Sequence, residues 1–268
     1  MDSLPEDTFF KPRLQSVEIK GPGALIHGSS LPGFRLQVTC RKREEFPPHR
    51  PGMEPKRIMG EIVAWVVEGQ EELWLWRQGL TLSLDFHKKE GEAHLAEARD
   101  WHNVLRITYF HLLLEQQGLL LHASGIVHGG EAYVFPGLSG AGKTTIVKHS
   151  PGMIVLSDEM VAVQLSSKGT PTMAFGTPFF GDWGKPGEKI VAPLKGLFFP
   201  CKAKKNRLVP LSPRETLTRL LPCVFTYTKC RPRLDKLFDL TAELAGRLPG
   251  FALHFRPGQD FWKVIDGD

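Results

Sequence analysis

Hydrophobic and polar residues alternate over short stretches of the first hundred residues, a spacing typical of β-strands that bury one face. Glycines and charged residues separate these stretches, as they do between neighbouring strands of a sheet. We therefore predict a small β-sheet in this part of the chain, for which a meander is one arrangement. Its predicted strands are Phe34–Cys40, Glu61–Gly69, Glu71–Gly79 and Leu80–Lys89.

One segment between the first two strands lacks this alternation. Residues Phe46–Arg57 contain four prolines, and proline cannot donate a backbone hydrogen bond to a neighbouring strand. The segment is therefore predicted to be a surface loop without regular pairing.

The pattern becomes helical between Glu97 and Gln117, where apolar residues recur at spacings near three and four. Gly118 follows directly and is expected to end this helix. The change of period marks a domain boundary. We therefore predict a small β-rich N-terminal domain over residues 1–96 and a second domain over residues 97–268.

A pair of glycines, Gly129 and Gly130, separates two apolar runs, Leu119–Val127 and Glu131–Phe135. Two glycines suit a tight hairpin turn whose central residues need positive φ. The second run should therefore lie antiparallel to the first. This differs from the parallel strands of a doubly wound nucleotide-binding fold.

The second apolar run leads into the sequence GLSGAGKT, which fits the phosphate-binding pattern G-x-x-x-x-G-K-[ST] in full. Glycines in such a loop allow backbone N–H groups to surround phosphate oxygens. The lysine neutralises β- and γ-phosphate oxygens, the threonine hydroxyl ligates Mg²⁺, and the following helix directs its positive end at the anion. The residues predicted to bind a nucleotide are Gly137, Ser139, Gly140, Ala141, Gly142, Lys143, Thr144 and Thr145.

An apolar strand, MIVLSDEM, follows after a short helix and a turn at Pro151 and Gly152, and it ends in Ser157, Asp158 and Glu159. The short connection allows this strand to lie beside the glycine-rich loop. An acidic side chain there can ligate Mg²⁺ or accept the proton of a phosphoryl acceptor. Taken alone, the two acids would be interpreted as an exposed turn, and it is their position shortly after the loop lysine that favours the functional role.

The segment Phe175–Lys189 is rich in glycine and proline and also contains Asp182, Lys185 and Glu188. It predicts either a lid over the phosphoryl acceptor or a plain surface loop.

Residues Pro193–Leu221 predict a strand, a basic turn, a second strand and a helix. Ser212 is the expected cap of this helix, Pro213 takes its first position, and Glu215 completes a capping box. A further helix near Leu234–Leu248 and a strand, Phe251–Pro257, are predicted to complete the sheet.

The composition, 41% hydrophobic and 24% charged, is that of an ordinary globular chain and argues against wholesale disorder. The four cysteines match no zinc spacing and no dense disulfide framework, so we expect free thiols in a reducing compartment. The acidic N-terminus lacks the features of a signal peptide, and every apolar stretch is too short to span a membrane. A cytoplasmic protein without a membrane partner is therefore predicted.

Part of the net charge of +5 lies in two basic clusters. Solvated loops are their simplest explanation, and binding of nucleic acid, an acidic partner or phosphates is the alternative. No aromatic pattern of the RRM kind and no helix-turn-helix pattern accompanies them, so nucleic-acid binding is not favoured. The clusters are Lys202, Lys204, Lys205 and Arg207, and Lys229, Arg231, Arg233 and Lys236.

Three sequence features together resemble a known family: the strand containing LHASGI, the loop GLSGAGKTT and the closely following LSDE. They are similar to the catalytic domain of HPr kinase/phosphorylase and its relatives, which share a fold with ATP-dependent phosphoenolpyruvate carboxykinase. The resemblance covers roughly residues 119–221 and is most specific at its start. It implies an α/β fold with a mixed sheet around a phosphate-binding loop.

The resemblance also implies roles for individual residues. His122 matches the family's histidine on the strand before the loop, and Asp158 matches the first of its paired aspartates, which acts as base toward the acceptor hydroxyl. Glu159 stands in place of the second aspartate, beside Mg²⁺. Lys143 completes the expected catalytic set, and Thr144, Asp158 and Glu159 are the expected Mg²⁺ neighbours.

Two departures from the family bear on the substrate. Thr144 and Thr145 follow the loop lysine, where HPr kinases have serine and glutamate, and the family's later glycine-rich signature has no counterpart. HPr itself is therefore not supported as the substrate.

The resulting hypothesis is an ATP- and Mg²⁺-dependent kinase that phosphorylates a hydroxyl of a small molecule, a peptide or a protein serine. The sequence does not distinguish among these acceptors, between ATP and GTP or pyrophosphate as donor, or between a monomer and a homo-oligomer. A nucleotide-binding regulatory module without transfer activity is an alternative function. A phosphohydrolase or phosphorylase that uses the same base is another.

Overall fold

The computed structural model describes residues 15–19, 34–40, 46, 54–58, 62–69, 71–97, 100–167 and 169–267. The acidic N-terminal stretch lies outside these residues. The chain divides into two units, residues 1–112 with 227–233 and residues 113–226 with 234–268. The division falls inside a helix, Trp101–Glu115, whereas the sequence places it before that helix. Each unit is built on its own β-sheet.

In the part of the chain that the structure describes, the first unit holds a seven-stranded sheet. Its strands are β1 (Gln15–Ile19), β2 (Phe34–Cys40), β3 (Glu54–Ile58), β4 (Ile62–Glu68), β5 (Glu72–Arg77), β6 (Leu80–Asp85) and β7 (Glu90–Leu95). Strands β3 to β7 are successive antiparallel neighbours and form a meander, whereas β2 lies parallel to β7. Leu73, Leu75 and Leu82 are buried at alternate positions of their strands, so one face forms the core.

Strands β2, β4, β5 and β6 confirm the four predicted strands, whereas β1, β3 and β7 were not predicted. The loop predicted over Phe46–Arg57 is wrong at its C-terminal end, because β3 pairs antiparallel with β4 there. Pro55 is compatible with a strand because β3 lies at the edge of the sheet, with a neighbour on one side only. Residues 47–53 of the predicted loop lie outside the described residues.

A buried ion pair lies in the first unit, where Arg233 Nε is 3.8 Å from Glu68 Oε1. Glu68 also accepts hydrogen bonds from the hydroxyl of Thr228 and from the backbone N–H of Lys229. The guanidinium carbon of Arg233 lies 4.7 Å from the centre of the Phe86 ring. Arg233 is therefore not part of a solvated loop, which is the simplest sequence-based explanation of its basic cluster.

The described residues of the second unit hold an eight-stranded sheet. Its strands are β8 (Gly118–His128), β9 (Glu131–Pro136), β10 (Ile154–Ser157), β11 (Met160–Gln164), β12 (Met173–Phe175), β13 (Val191–Lys202), β14 (Arg207–Leu211) and β15 (Gly250–Phe255). Paired strands follow the order β10-β8-β11-β12-β13-β15-β14, and β9 pairs with both β8 and β13. Strand β13 is parallel to β9 and β15, while β8 is antiparallel to β9, β10 and β11. The mixed sheet confirms the predicted α/β class.

The turn between β8 and β9 confirms the predicted hairpin. The two strands are antiparallel, and Gly129 and Gly130 have φ angles of 58° and 83°. These left-handed angles are the reason that both turn positions carry glycine. Strand β9 ends at Pro136, so the glycine-rich loop follows an antiparallel strand, as predicted.

Strands β13 and β14 are consecutive in the chain but are not neighbours in the sheet. Strand β15 lies between them, parallel to β13 and antiparallel to β14. The strand predicted to complete the sheet is therefore inserted between two earlier strands.

The described residues form five α-helices and a 3₁₀ turn: α1 (Trp101–Glu115), α2 (Lys143–Lys148), α3 (Pro213–Leu220), the 3₁₀ turn Leu221–Cys223, α4 (Arg231–Arg247) and α5 (Phe261–Asp266). The predicted capping box of α3 is present, because Ser212 Oγ accepts from Glu215 N at 3.3 Å and Glu215 Oε2 accepts from Ser212 N at 2.9 Å. Helix α5 was not predicted. No helix among the described residues has the length and apolar character needed to cross a membrane.

Helix α2, which follows the glycine-rich loop, packs on an apolar cluster. Its Ile146 and Val147 lie in this cluster with Phe261 and Trp262 of α5. Trp262 Nε1 also donates a hydrogen bond of 2.9 Å to Ser150 Oγ, just after α2. Burial of one apolar side chain such as Ile146 or Phe261 stabilises the folded state by about 1.5–3 kcal/mol. The unpredicted helix therefore holds the end of the glycine-rich loop in place.

Candidate functional site

The glycine-rich loop, Gly137–Thr144, begins directly after β9, and its last two residues, Lys143 and Thr144, are the first two of α2. The φ angles of Gly140 and Gly142 are 78° and 107°, while the intervening Ala141 has an ordinary negative φ. Alternation of this kind turns successive backbone N–H groups toward a common side, which makes an anion-binding concavity. Gly142 is required for a second reason, because a Cβ atom there would lie 2.7 Å from Cζ of Phe255.

Lys143, the first residue of α2, is only 7% exposed. Its Nζ donates hydrogen bonds to the carbonyl oxygens of Gly137 at 2.9 Å and of Leu138 at 3.2 Å. Burial lowers the pKa of Lys143 below its ordinary value, although the negative charges of Glu159 and Asp158 oppose this shift. The loop lysine is thus a largely buried cation that closes the loop on itself.

Asp158 and Glu159 connect β10 to β11, and both of these strands pair with β8. Ser157 pairs with Gly125 and Met160 with His122, and Ala123 N donates to Glu159 O at 3.2 Å, so the chain stays beside β8 throughout. A regular strand would direct Asp158 and Glu159 to opposite faces. Both of them nevertheless line one pocket.

Ser157 accounts for this departure from alternation. Its fully buried Oγ accepts hydrogen bonds from the backbone N–H groups of Glu159 at 3.0 Å and Met160 at 2.9 Å, and it donates to Phe179 O at 2.8 Å. A side chain that bonds to the backbone two and three residues later bends the strand locally. Ser157 is not among the site residues predicted from the sequence, although a serine directly before two acids can make such bonds to the backbone.

Asp158 is 1% exposed and is held by three donors. Its Oδ1 accepts from the backbone N of Gly181 at 2.7 Å. Its Oδ2 accepts from the backbone N of Trp183 at 2.9 Å and from Thr144 Oγ1 at 3.3 Å. The carboxylate is therefore fixed between the last residue of the glycine-rich loop and the segment 181–183.

Glu159 and His122 form the adjacent part of the wall. His122 Nε2 lies 3.6 Å from Glu159 Oε2, which is an ion-pair distance when the imidazole is protonated. Gly181 leaves room for both carboxylates, because a Cβ on it would lie 3.2 Å from Glu159 Oε2 and 3.3 Å from Asp158 Oδ2. A side chain at position 181 would therefore crowd the two acids.

The segment 176–190 forms a wall of the site that is anchored at its base. Thr177 N donates to Leu156 O at 3.2 Å, Glu188 N donates to Val155 O at 2.7 Å, and Phe179 is fully buried. Its tip, which includes Asp182, is exposed. The segment predicted as a lid or a plain loop therefore contacts the acids directly through its backbone.

These groups surround a pocket of about 310 Å³. Most of the predicted site residues line it, whereas Gly137 and Ala141 contribute to the loop behind it. Gly181 and Asp182, from the segment predicted as a lid or a plain loop, line it as well, and so does Lys202, from a basic cluster whose simplest sequence-based explanation is a solvated loop. The lining residues are His122, Ser139, Gly140, Gly142, Lys143, Thr144, Thr145, Asp158, Glu159, Gly181, Asp182 and Lys202.

The donor set fits a hard divalent cation that is shared with a ligand. The 3.3 Å between Thr144 Oγ1 and Asp158 Oδ2 is close to the separation of about 3.0 Å between adjacent oxygens in an octahedral Mg²⁺ site. Within the described residues, no group of three or more His, Cys, Asp or Glu side chains is placed to hold a metal. Such a sparse protein contribution is usual for Mg²⁺ bound through phosphates.

Several other predicted features lie away from the pocket. Arg207 is exposed at the start of β14 and does not line it, and Lys204 and Lys205 are exposed in the preceding turn. Cys201, Cys223 and Cys230 are free thiols, as predicted, and the side chain of Cys40 lies outside the described residues.

Neither the protein-family models nor the curated proteins that were compared with the chain match it.

Proposed function

We propose that this protein is an ATP- and Mg²⁺-dependent kinase with a phosphate-binding loop of the HPr kinase and phosphoenolpyruvate carboxykinase type. The observation that carries the proposal is the contact between Thr144, at the end of the glycine-rich loop, and the buried carboxylate of Asp158. This contact brings an acid next to the threonine of a complete phosphate-loop sequence, and Lys143 lines the same pocket. Phosphoryl transfer needs these three groups together.

The donor nucleotide would bind along the glycine-rich loop. Backbone N–H groups on its concave side and the ammonium of Lys143 bind phosphate oxygens in such loops. Because Lys143 already donates to the carbonyls of Gly137 and Leu138, its ammonium is held near the loop before a phosphate arrives. Little side-chain freedom would then be lost on binding.

Thr144 and Asp158 would hold Mg²⁺, with Glu159 beside them, and the bound ion would neutralise charge on the donor phosphates. Glu159 is longer than the aspartate that the resembled family carries here. The bend at Ser157 brings it to the same wall as Asp158, which supports a place for both acids at the metal.

In the transfer step, the acceptor hydroxyl oxygen forms a bond to the γ-phosphorus while the bond between this phosphorus and the ADP oxygen breaks. The hydroxyl proton passes to Asp158. Its Oδ1 accepts one hydrogen bond, from Gly181 N, and so retains a lone pair for this proton. The acceptor would approach from the side of the pocket formed by His122, Glu159 and Asp182.

The experiment that tests this function is incubation of the full chain with γ-labelled ATP, Mg²⁺ and pools of serine-containing peptides and hydroxyl-bearing metabolites. A kinase transfers the label to an acceptor, and the Lys143→Ala variant does so far more slowly. Label found only in inorganic phosphate would indicate a hydrolase. Nucleotide binding without release of label would indicate a regulatory module, and both results would contradict the kinase proposal.

A further inference from the structure

Lys202, the last residue of β13, lines the pocket from the side of the glycine-rich loop. Pro200 of the same strand lies close to Gly137, since a Cβ on that glycine would be 3.7 Å from Pro200 Cδ. Phe255, the partner of Lys202 in β15, lies against Gly142. Both ends of the glycine-rich loop therefore have neighbours at this end of β13.

The pairing of β13 with β9 shows which end of β13 lies near the glycine-rich loop. Strands β13 and β9 are parallel, and Leu197 pairs with Val134. Because the strands run in the same direction, the C-terminal end of β13, where Lys202 lies, is at the same end of the sheet as the glycine-rich loop that follows β9. Together with the contacts of Pro200 and Phe255, this places Lys202 beside the glycine-rich loop.

The net charge of the pocket makes the ammonium group of Lys202 important for binding an anionic ligand. Three carboxylates line it, those of Asp158, Glu159 and Asp182, against the two ammonium groups of Lys143 and Lys202, which gives a formal net charge of −1. A nucleoside polyphosphate is strongly anionic, so loss of one ammonium group would make the pocket −2 and oppose binding.

The Lys202 side chain is available for a ligand. It is exposed, and no hydrogen bond or ion pair with another described residue engages its ammonium group. Lys143, by contrast, donates to two loop carbonyls, and His122 lies within ion-pair distance of Glu159.

We propose that Lys202 is a second phosphate-binding cation of this pocket, which contacts a donor nucleotide at its α- and β-phosphates. The proposal rests on the proposed function. The backbone of a phosphate-binding loop holds the α- and β-phosphates, whereas its lysine reaches the β- and γ-phosphates, and Lys202 flanks that backbone. The structure thereby separates Lys202 from Lys204 and Lys205, with which the sequence groups it in one basic cluster.

Calorimetric titration of the full chain with ATP, ADP and AMP at saturating Mg²⁺ tests this assignment. Lys202→Ala should raise the Kd for ATP and for ADP by a similar factor, about 5- to 20-fold, as expected for one exposed charge-assisted contact. The effect on AMP should be smaller, and Lys202→Arg should retain most of the affinity. Lys204→Ala is the matched control, because it removes the same charge two residues away, and it should stay within about twofold of the unmodified chain.

The outcomes separate this inference from the proposed function. If the unmodified chain binds none of the three nucleotides, the proposed function is wrong and the role of Lys202 is lost with it. If the chain binds ATP but Lys202→Ala and Lys204→Ala behave alike, the role of Lys202 is refuted and the kinase proposal stands. Unchanged nucleotide affinity with a raised KM for the acceptor would place Lys202 at the acceptor and would also refute it. An unchanged Tm of each variant shows that the fold is retained.

Discussion

Replacement of Asp158 by asparagine probes the hydrogen bonds at the centre of the site. The carboxylate accepts from two backbone amides, Gly181 N at Oδ1 and Trp183 N at Oδ2. Asparagine keeps the volume, but either orientation of its amide directs an NH₂ donor at one of these N–H donors. One hydrogen bond is therefore lost in both orientations, and two N–H donors face each other.

The cost follows from the burial of the group. Because Asp158 is only 1% exposed, little water reaches its side chain to replace the lost hydrogen bond. A hydrogen bond to a charged acceptor contributes about 1.5–3 kcal/mol, and a buried donor without a partner costs a similar amount. We expect Asp158→Asn to lower the free energy of unfolding by about 2–3 kcal/mol. Urea unfolding followed by tryptophan fluorescence measures this, and hydrogen exchange should show weaker protection of the Gly181 and Trp183 amides.

Asp182→Asn is the matched control, since it makes the same chemical change on an exposed carboxylate of the same pocket. We expect its free energy of unfolding to stay within about 0.5 kcal/mol of that of the unmodified chain. Equal stability of the two variants, with full protection of both amides in Asp158→Asn, would refute the described hydrogen bonding. At saturating ATP, Asp158→Asn should also lower the transfer rate by about 10²–10⁴ if Asp158 is the base.

Three further predictions concern other parts of the chain. Lys143→Ala should weaken ATP binding by about 2–3 kcal/mol, measured by calorimetry, and unchanged affinity would rule out a phosphate-binding loop. Gly142→Ala should lower stability in thermal unfolding by at least about 2 kcal/mol, because φ is 107° and the new Cβ would contact Phe255. Gly246→Ala, where the added Cβ would meet open space, should not lower stability. An equal loss of stability in the two variants would contradict this explanation. Burial lowers the pKa of His111 to about 3, so its contribution to stability is full above pH of about 6.5 and is lost as pH falls toward 3. Between pH 7 and pH 5 the free energy of unfolding should fall by about 2 kcal/mol because of His111, and this contribution should be absent in His111→Phe. If the free energy of unfolding of His111→Phe depends on pH as that of the unmodified chain does, the assignment to His111 is refuted.

Features that depend on a few consecutive residues were predictable from the sequence. The glycine pair 129–130 forms the predicted hairpin turn, and Ser212 with Glu215 forms the predicted capping box. The contacts that decide these features lie within about four residues of one another. Composition and local spacing were sufficient for them.

Strand order was not predictable in this way. Strand β15 lies between β13 and β14, and β3 tolerates Pro55 because it ends up at the edge of its sheet. Both facts depend on which distant segments become neighbours. Hydrophobic alternation predicts that a strand exists and which face it buries, but it carries little information about its partners.

The sequence by itself determined the chemistry that this protein can offer: a glycine-rich loop with Lys143 and Thr144, and two acids shortly after it. The tertiary structure alone decided that Thr144 contacts Asp158 and that Lys202 lines the same pocket. These outcomes rest on hydrogen bonds and strand register between residues that are far apart in the chain, such as Asp158 and Gly181. Because such contacts form only when the whole sheet has folded, no local pattern of residues encodes them.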